Sequence, residues 1–348
     1  MRWLVVKFIN LVIVLVIVTI VVAAIFTGPL AQREKQEIIQ STRQEVIQKY
    51  KSQNVNATEL QRIINETIKL RLKAKGLDKP WYVLSLRYTK MLLTFRPLNA
   101  TTLTTMWWPT QGDKNVMHII IERLPYSILL FTTSSILTLL LAMPLALYAA
   151  RRPGSILDST IIAWSVFSVS MPWWWLAMVF IYIFSIKTHI FPTTYEVQRE
   201  GIDWTNPIVV AKLGALPVLT VTLLSIGDTA FRLRNIFLDV FTEDFVNVAR
   251  AKGVPESMVL RRHVMRAAAP PVVTVVLFSI VLSVFSGAII TELIFNWPGL
   301  GRLYWDAISA NDVPVILELT YITTLLYLAV RFILDILYTL LDPRIRRA

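Results

Sequence analysis

Segment 242–253 has the residue order of a short amphipathic helix that ends in a sharp turn. Thr242 is suited to cap the helix, and Glu243 and Asp244 then fall in the first turn, where the macrodipole favours negative charge. Arg250 and Lys252 fall in the last turn, where positive charge is favoured. The charge order therefore predicts a helix over roughly 242–252.

One face of this helix is apolar, because Phe245, Val246 and Ala249 recur at helical spacing, and Val248 can join them. Gly253 follows and permits the left-handed backbone that commonly ends a helix. Pro255 can start a second helix, which we expect to end before Pro270. A rod with apolar anchors and a charged rim suits binding in a groove of a partner protein. An interfacial helix without a partner has the same pattern, so both interpretations stay open.

The sequence has no residue set typical of catalysis or metal binding. It contains no cysteine, and His118, His189 and His263 lie far apart in sequence. No phosphate-binding loop of the form G-x-x-x-x-G-K-[ST] occurs, and no nucleophile stands with a base. We therefore expect a chain that is not an enzyme and that holds no cofactor or metal of its own.

The apolar composition predicts an all-α integral membrane protein. Of the 348 residues 55% are hydrophobic, the mean hydropathy is +0.57, and several apolar runs exceed the ~18 residues that indicate a spanning helix. Six transmembrane helices are predicted, at Trp3–Phe26, Pro125–Ala150, Ile161–Ile186, Pro207–Phe231, Val272–Leu293 and Val315–Leu341.

These spans divide the chain into three parts. Residues 1–27 form the first transmembrane helix, 28–117 an external segment, and 118–348 a five-helix core whose cytoplasmic loop covers about 240–270. The external segment has helical stripes over 31–52, 58–75 and Trp81–Phe95, with Thr58 as an N-cap and Gly76 as a stop. We expect a small helical cap.

Basic residues predict the orientation. Lys and Arg concentrate before the first span, after the second, in the loop after the fourth and at the C-terminus. By the positive-inside rule both termini are cytoplasmic in a multi-pass cell membrane protein. The net charge of +12 therefore indicates contact with membrane lipid, and no basic stripe on a soluble domain points to nucleic acid.

Three Asn-x-Thr triplets start at Asn56, Asn65 and Asn99, all in the segment placed outside. They are compatible with glycosylation on that side of the membrane. Asn and Thr are also common in polar segments, so the triplets alone do not decide whether these asparagines are glycosylated.

Few polar or aromatic features interrupt the predicted spans. Asp228, Glu292 and Glu318 are acids near span ends, where any of them could line a pathway. Trp173–Trp175 follow Pro172 in the third span. Aromatic surfaces suit the passage of peptides or sugars, but packing at a proline kink is the interpretation we favour.

The order of several phrases resembles one family of membrane proteins. Ala249-Arg-Ala-Lys-Gly253, followed by Arg262-His263 and Arg266, resembles the "EAA" loop of ABC importer permeases, in the variant of the dipeptide/oligopeptide permease family. Asn247 stands at that loop's glutamate position, and Arg96-Pro-Leu-Asn-Ala100 departs from a glycine-rich phrase of the family. Similar phrases occur in family order at Gly76–Pro80, Glu122–Pro125, Glu292–Arg302 and Asp335–Arg346.

The resemblance implies a pore-forming subunit of an ATP-driven importer that works by alternating access. A second homologous permease would complete a heterodimer, two cytoplasmic ATPase subunits would bind ATP and Mg, and an extracellular substrate-binding protein would deliver cargo. The coupling helix would use Phe245, Val246 and Ala249 as anchors, and Arg250 would pair with acids of the ATPase. The residues assigned to ATPase coupling are Glu243, Phe245, Val246, Ala249, Arg250, Ala251 and Gly253.

The turn after the fifth span has two interpretations. The family implies part of the external gate or a seat for the binding protein, whereas the residues alone also fit a structural re-entrant turn. The residues concerned are Glu292, Trp297, Pro298, Gly299 and Gly301.

Peptides are the expected cargo. Members of the family also carry oligosaccharides or nickel chelates, so these two cargoes are alternatives. An ion-gradient-driven secondary transporter is the alternative from another class. It would predict inverted repeats and an acidic or histidine relay at mid-membrane, neither of which is evident. A receptor or scaffold that does not transport would leave the coupling loop unexplained.

Overall fold

The computed structural model describes residues 2–51, 56–101, 114–194, 206–286 and 288–341. Within these ranges the chain is helical, apart from connecting turns and an isolated bridge between Asn99 and Asn115. The described residues divide into two compact units. One comprises Met1–Glu122 with Leu303–Leu328, and the other comprises Arg123–Arg302 with Ala329–Ala348.

The first unit begins with helix α1 (Arg2–Tyr50), which continues through Pro29. The helix therefore extends beyond the predicted first transmembrane segment, whose end at residue 27 stays a prediction. Pro29 removes one backbone hydrogen bond, but the helix continues beyond it because its distal part packs on α2 (Ala57–Ala74) and α3 (Trp81–Leu93). Ala31, just after the proline, is buried in that packing.

The helices predicted over 58–75 and Trp81–Phe95 are confirmed as α2 and α3. The N-cap of α2 is Asn56 rather than the predicted Thr58. Gly76 has φ +73°, and the Leu77 N–H donates to the Leu72 carbonyl at 2.8 Å, so the predicted glycine stop is confirmed. α12 (Val313–Leu341) starts in this unit, and its residues up to Leu328 belong to it.

The second unit contains most of α4 (Val116–Arg151), then α5 (Ile156–Ser170) and α6 (Trp173–Phe180). A π-helical stretch, Ile181–Lys187, extends α6. The break at Met171-Pro172 bends α5 against α6 by 98°. The proline kink predicted in the third span is confirmed, because Pro172 cannot continue the hydrogen-bond ladder of α5.

Helix α7 (Pro207–Phe241) leads into α8 (Asp244–Ala251). A short turn, Glu256–Met258, and a π-helical stretch, Val259–Val264, then precede α9 (Met265–Ser286), α10 (Ala288–Ile294) and α11 (Leu300–Ser309). α9 runs through Pro270 and Pro271, so the predicted helix end before them is wrong. Ala268 and Val272, which flank the prolines, are both buried in the core and hold the helix together.

Four helices among the described residues are long and apolar enough to cross a membrane, and the bent α5–α6 pair would make a fifth span. The predicted span Val272–Leu293 falls on α9 and α10, whose junction at residue 287 lies outside the described residues. The prediction of six spans therefore stays a prediction.

Helices α5 and α7 are in close contact at Gly227. A Cβ atom at this position would lie 2.3 Å from Cδ1 of Trp164, so only glycine fits. The Trp164 Nε1–H donates to the Leu223 carbonyl at 3.1 Å. Toward one end of the same contact, Arg234 and Asp158 form a buried ion pair with N–O distances of 2.7 and 2.9 Å. These contacts fix the position of α7, and α7 leads into α8.

Candidate functional site

The helix predicted from segment 242–253 is present as α8, but it begins later than predicted. Thr242 ends α7, and its Oγ1 donates to the Asp239 carbonyl at 2.7 Å. Glu243 occupies the N-cap position with extended backbone, and Asp244 starts the helix. The hydroxyl of Thr242 therefore serves the preceding helix rather than capping α8.

Two faces of α8 have different surroundings. Val246 is fully buried and Ala249 is 6% exposed, both within a core cluster that includes Phe237 and Ala146. Phe245 is 41% exposed on the other side. The partner-groove contact predicted for Val246 and Ala249 is therefore wrong, because this chain's own helices cover both side chains.

The exposed face of α8 is suited to contact another molecule. Val248, which the assigned set omits, is 51% exposed and joins Phe245 as a second apolar side chain. Of the assigned residues, Glu243, Arg250, Ala251 and Gly253 are also exposed. We name Phe245 and Val248 the outer pair. The sequence already placed Val248 near the apolar face, and its position three residues after Phe245 brings the two side chains to one side of the helix.

Arg250 is engaged within the chain. Its Nη2 and Nε donate to the two carboxylate oxygens of Glu256 at 3.0 and 3.3 Å, and its guanidinium lies 5.7 Å from the Phe241 ring centroid. Arg151, at the end of α4, lies 3.9 Å from Glu256. The hydrogen bond from Arg250, together with the charges of Arg250 and Arg151, holds the pKa of Glu256 below its usual value. Within this chain Arg250 therefore forms an internal pair, and its predicted pairing with an acid of a partner stays a prediction.

The turn after α8 has the geometry that the sequence predicts. Gly253 has φ +74°, its N–H donates to the Arg250 carbonyl, and the Val254 N–H donates to the Ala249 carbonyl at 3.2 Å. A Cβ at Gly253 would meet no atom within 4 Å. The glycine is therefore required by backbone conformation and not by crowding.

The turn between α10 and α11 is built around the carboxylate of Glu292. This group accepts hydrogen bonds from Ser127 Oγ at 2.6 Å and from the Arg302 N–H at 3.0 Å. Ser127 Oγ also accepts the Leu300 N–H at 2.8 Å. Gly299 lies against the carboxylate so closely that a Cβ there would be 2.2 Å from Glu292 Oε1.

Trp297 anchors the same turn. Its indole is fully buried, its Nε1–H donates to the Tyr126 carbonyl at 2.9 Å, and its backbone N–H donates to the Glu292 carbonyl at 2.8 Å. Glu292, Trp297, Pro298, Gly299 and Gly301 are all buried. Because they are buried, these side chains pack as a structural turn within this chain, and a role for the turn in an external gate or a binding-protein seat stays a prediction.

A large cavity lies within the second unit. Its volume is 1160 Å³, and its wall is formed by α4, α5, α6, α7, α9 and α10. Trp173 and Trp174 contribute aromatic faces, so the tryptophans after the proline kink line this cavity as well as packing at the bend. Thr291, next to Glu292, also lines it.

The cavity wall combines apolar side chains with hydroxyls and one ion pair. Asp228 and Arg232, one turn apart on α7, form a pair with an O–N distance of 2.6 Å. Asp228 was one of three acids that could line a pathway on the sequence alone, whereas the hydroxyl residues were not considered. Three of these hydroxyl residues lie at positions i, i+1 and i+4 of α4, a spacing that could have indicated one polar face of that helix. The lining hydroxyl residues are Ser134, Ser135, Thr138, Ser168, Ser225, Thr229, Thr274 and Thr291.

The three sequon asparagines are exposed and belong to the first unit. Asn56 precedes α2, Asn65 lies within α2, and Asn99 forms the bridge with Asn115. Glycosylation at these positions stays a prediction.

Comparison with known proteins identifies similar sequences and a similar fold. The profile of the family described as "Binding-protein-dependent transport system inner membrane component" matches residues 142–347. An oligopeptide transport system permease protein, AppB of Bacillus subtilis, is 33% identical over 235 residues, which cover 66% of this chain and 72% of AppB. A di/tripeptide transport system permease protein, DppB of Pseudomonas aeruginosa, is 30% identical over 288 residues, which cover 78% and 82%.

A solved structure shares the fold. The inward-facing methionine ABC transporter MetNI includes a chain that matches with a TM-score of 0.51 and 17% identity. The match covers 65% of this chain and 97% of that one.

Proposed function

Because the chain belongs to the family of inner membrane components of binding-protein-dependent transport systems, we propose that it is the pore-forming subunit of an ATP-driven peptide importer. Its family shows that the chain is a permease subunit of an ABC importer. The peptide cargo, the coupling to ATP hydrolysis and the alternating access are the proposal. The two-faced helix α8 is the observation that supports it most directly.

Helix α8 can transmit movement because it is joined rigidly to the spans. Val246 and Ala249 pack in one core cluster with residues of α4, α7 and α9, and the Arg250–Glu256–Arg151 contacts add an electrostatic link to the end of α4. The outer pair then offers two apolar side chains to a groove on an ATPase subunit. A displacement of α8 by that subunit would move the helices packed on it, which is how closure of the ATPases would switch the permease.

The cavity is suited to be this subunit's share of the transport path. A peptide presents amide N–H and C=O groups along its length, and hydroxyls can both donate to and accept from them. The aromatic faces of Trp173 and Trp174 accommodate varied side chains. The hydroxyls and aromatic faces would suit a sugar as well, so the choice of peptide over oligosaccharide rests on the relatives AppB and DppB, which are named as peptide permeases.

The partners of the proposed complex are a second homologous permease, two cytoplasmic ATPase subunits that bind ATP and Mg, and an extracellular binding protein. α8 then lies at the cytoplasmic surface, and both termini are on that side. The deciding experiment is uptake by proteoliposomes that contain the assembled complex with ATP inside and no ion gradient. Uptake of a labelled tripeptide supports the proposal. If only an oligosaccharide is taken up, the cargo is an oligosaccharide instead of a peptide. Uptake that requires an ion gradient contradicts ATP coupling.

Replacing the outer pair should weaken the ATPase contact without unfolding the chain. In Phe245→Ser/Val248→Ser, two exposed apolar anchors become polar, and losing one anchor that acts as a hot spot costs about 2 kcal/mol or more. We expect ATPase subunits to co-purify at least about tenfold less, in line with 1.4 kcal/mol per decade.

The matched control for the outer pair is Leu70→Ser/Leu86→Ser, since these leucines are 68% and 64% exposed on α2 and α3 of the first unit. The control should co-purify like the unmodified chain. Equal recovery of ATPase with both double variants would contradict docking through α8.

Gly253→Val should uncouple transport while the protein still inserts in the membrane. A β-branched residue is strained at φ +74° by about 1–3 kcal/mol, so the turn relaxes and α8 changes its angle to the spans. Uptake should fall severalfold while ATP hydrolysis by the complex continues. Gly253→Asn is the control, because Asn tolerates the left-handed region and should keep most of the uptake. Unchanged uptake in Gly253→Val would refute the role of this turn.

A further inference from the structure

A pocket in the first unit lies apart from the coupling helix and the cavity. Its volume is 220 Å³, and its wall includes Phe95, Arg96, His118, Glu318 and Tyr321. Taking about 30 Å³ per water molecule, this is room for about seven waters or a small organic group. Arg96-Pro-Leu-Asn-Ala100, the phrase that departs from the family pattern, forms part of its surroundings.

The loop at the pocket is held in place by backbone pairing. The Ala100 N–H donates to the Lys114 carbonyl at 2.7 Å, and the Val116 N–H donates to the Leu98 carbonyl at 3.0 Å. The Thr101 N–H donates to Asp312 Oδ2 at 2.8 Å, which joins the loop to the start of α12. The pocket is therefore bordered by ordered backbone.

Glu318 is the unusual member of the wall. It is 2% exposed, and its Oε2 accepts one hydrogen bond, from the Leu98 N–H at 3.0 Å. No cationic side chain of the described residues lies within ion-pair distance of its carboxylate, although Arg96 and His118 border the same pocket and are exposed. A carboxylate buried with a single hydrogen bond is costly unless a cation compensates it.

The rest of the wall suits an organic cation better than a metal ion. Phe95 and Tyr321 meet edge to face, with ring centroids 6.0 Å apart, and aromatic rings attract ammonium groups. A calcium ion would need about six oxygen ligands, and one carboxylate among apolar walls supplies too few. We propose that this pocket binds a primary ammonium group carried on a short apolar chain, with Glu318 as its counter-charge and Phe95 and Tyr321 beside it.

Two sources share this chemistry, a small free amine and the N-terminus of a peptide. The second source rests on the proposed function, whereas the pocket itself does not. Binding can therefore be tested on the full chain purified in detergent, without ATPase subunits or uptake. Loss of peptide transport would leave the binding result intact, so the two proposals fail separately.

The probe is n-propylammonium, detected by saturation-transfer NMR, with propionate as a probe of opposite charge. We expect saturable binding of n-propylammonium and none of propionate. Glu318→Gln keeps an oxygen for the Leu98 N–H but removes the charge, and affinity should fall about tenfold or more, as expected for a lost charge-assisted hydrogen bond. Glu66→Gln, at an exposed carboxylate on α2, is the matched control and should bind like the unmodified chain.

A second variant covers the case in which Glu318→Gln does not fold. Phe95→Leu, at a ring that is 66% exposed, removes one aromatic wall while leaving the core alone, and should weaken binding severalfold. Displacement of the probe by tri-alanine but not by N-acetyl-tri-alanine assigns the site to peptide N-termini, and displacement by neither assigns it to free amines. Absence of saturable binding, or equal binding by Glu318→Gln and the unmodified chain, would overturn the proposal.

Discussion

Gly299→Ala should strongly destabilise the second unit, because the added methyl group has no room beside a buried carboxylate. The new Cβ would stand 2.2 Å from Glu292 Oε1 and 2.4 Å from its Cδ, a separation that no rotation of the alanine relieves. Glu292 is fully buried, so its carboxylate can move only by giving up Ser127 Oγ or the Arg302 N–H. Overpacking and a lost buried hydrogen bond each cost about 1–3 kcal/mol, so the sum is on the order of 3 kcal/mol or more.

The measurement is the melting temperature of the purified chain in detergent. Two other glycines, with more room around them, serve as comparisons for the steric effect. A Cβ at Gly28 would meet Trp81 at an ordinary 3.9 Å, and one at Gly214 would meet Trp297 at 3.4 Å. The decrease should therefore be largest for Gly299→Ala, small for Gly214→Ala and absent for Gly28→Ala.

Non-additivity tests the cause. Glu292→Ala removes the carboxylate that the new methyl strikes, so Glu292→Ala/Gly299→Ala should lose clearly less stability than the two single variants added together. Strict additivity, or a melting temperature of Gly299→Ala equal to that of Gly28→Ala, would mean that Glu292 does not hold this turn.

The sequence predicted the existence of α8 and its terminal glycine, but not which face is buried. Phe245, Val246, Val248 and Ala249 together cover a wide arc of a short helix, and each is apolar enough to face either way. The choice is made by α4, α7 and α9, which enclose Val246 and Ala249 in one cluster. Periodicity within eight residues holds no information about those distant helices.

The turn after α10 was recognisable from the sequence as a functional or structural feature, and the contacts that hold it together were not. The decisive partner of Glu292 is Ser127, which is 165 positions away in the sequence. An acid near the end of an apolar span therefore suggested a pathway, although its charge is satisfied by a hydroxyl and backbone N–H groups. The continuity of α1 through Pro29 was missed for a related reason, because tertiary packing overrides the local cost of proline.

The ion pair between Asp158 and Arg234 was also not evident from the sequence. After Gly299→Ala, its loss is the other change that should greatly lower the stability of the chain. The Asp158 carboxylate is 3% exposed, receives two hydrogen bonds from Arg234 and a third from the Gly154 N–H at 2.8 Å. It thereby joins the turn before α5 to α7. Asp158→Asn leaves the guanidinium of Arg234 largely buried without a counter-charge, and breaking such a pair costs about 3–5 kcal/mol.

An exposed pair on the same helix provides the comparison. Arg232 and Asp228 are also bonded, but their side chains are 64% and 33% exposed and lie one helical turn apart, an arrangement worth only about 0.3–0.5 kcal/mol. Asp158→Asn should therefore lower the melting temperature of the purified chain far more than Asp228→Asn does. Asp158→Leu/Arg234→Met should recover most of the loss, because replacing both charges with apolar side chains leaves neither charge unpaired. Equal melting temperatures for Asp158→Asn and Asp228→Asn would show that the α5–α7 contact depends on Gly227 and Trp164 alone, and that the buried pair contributes no more than a surface pair.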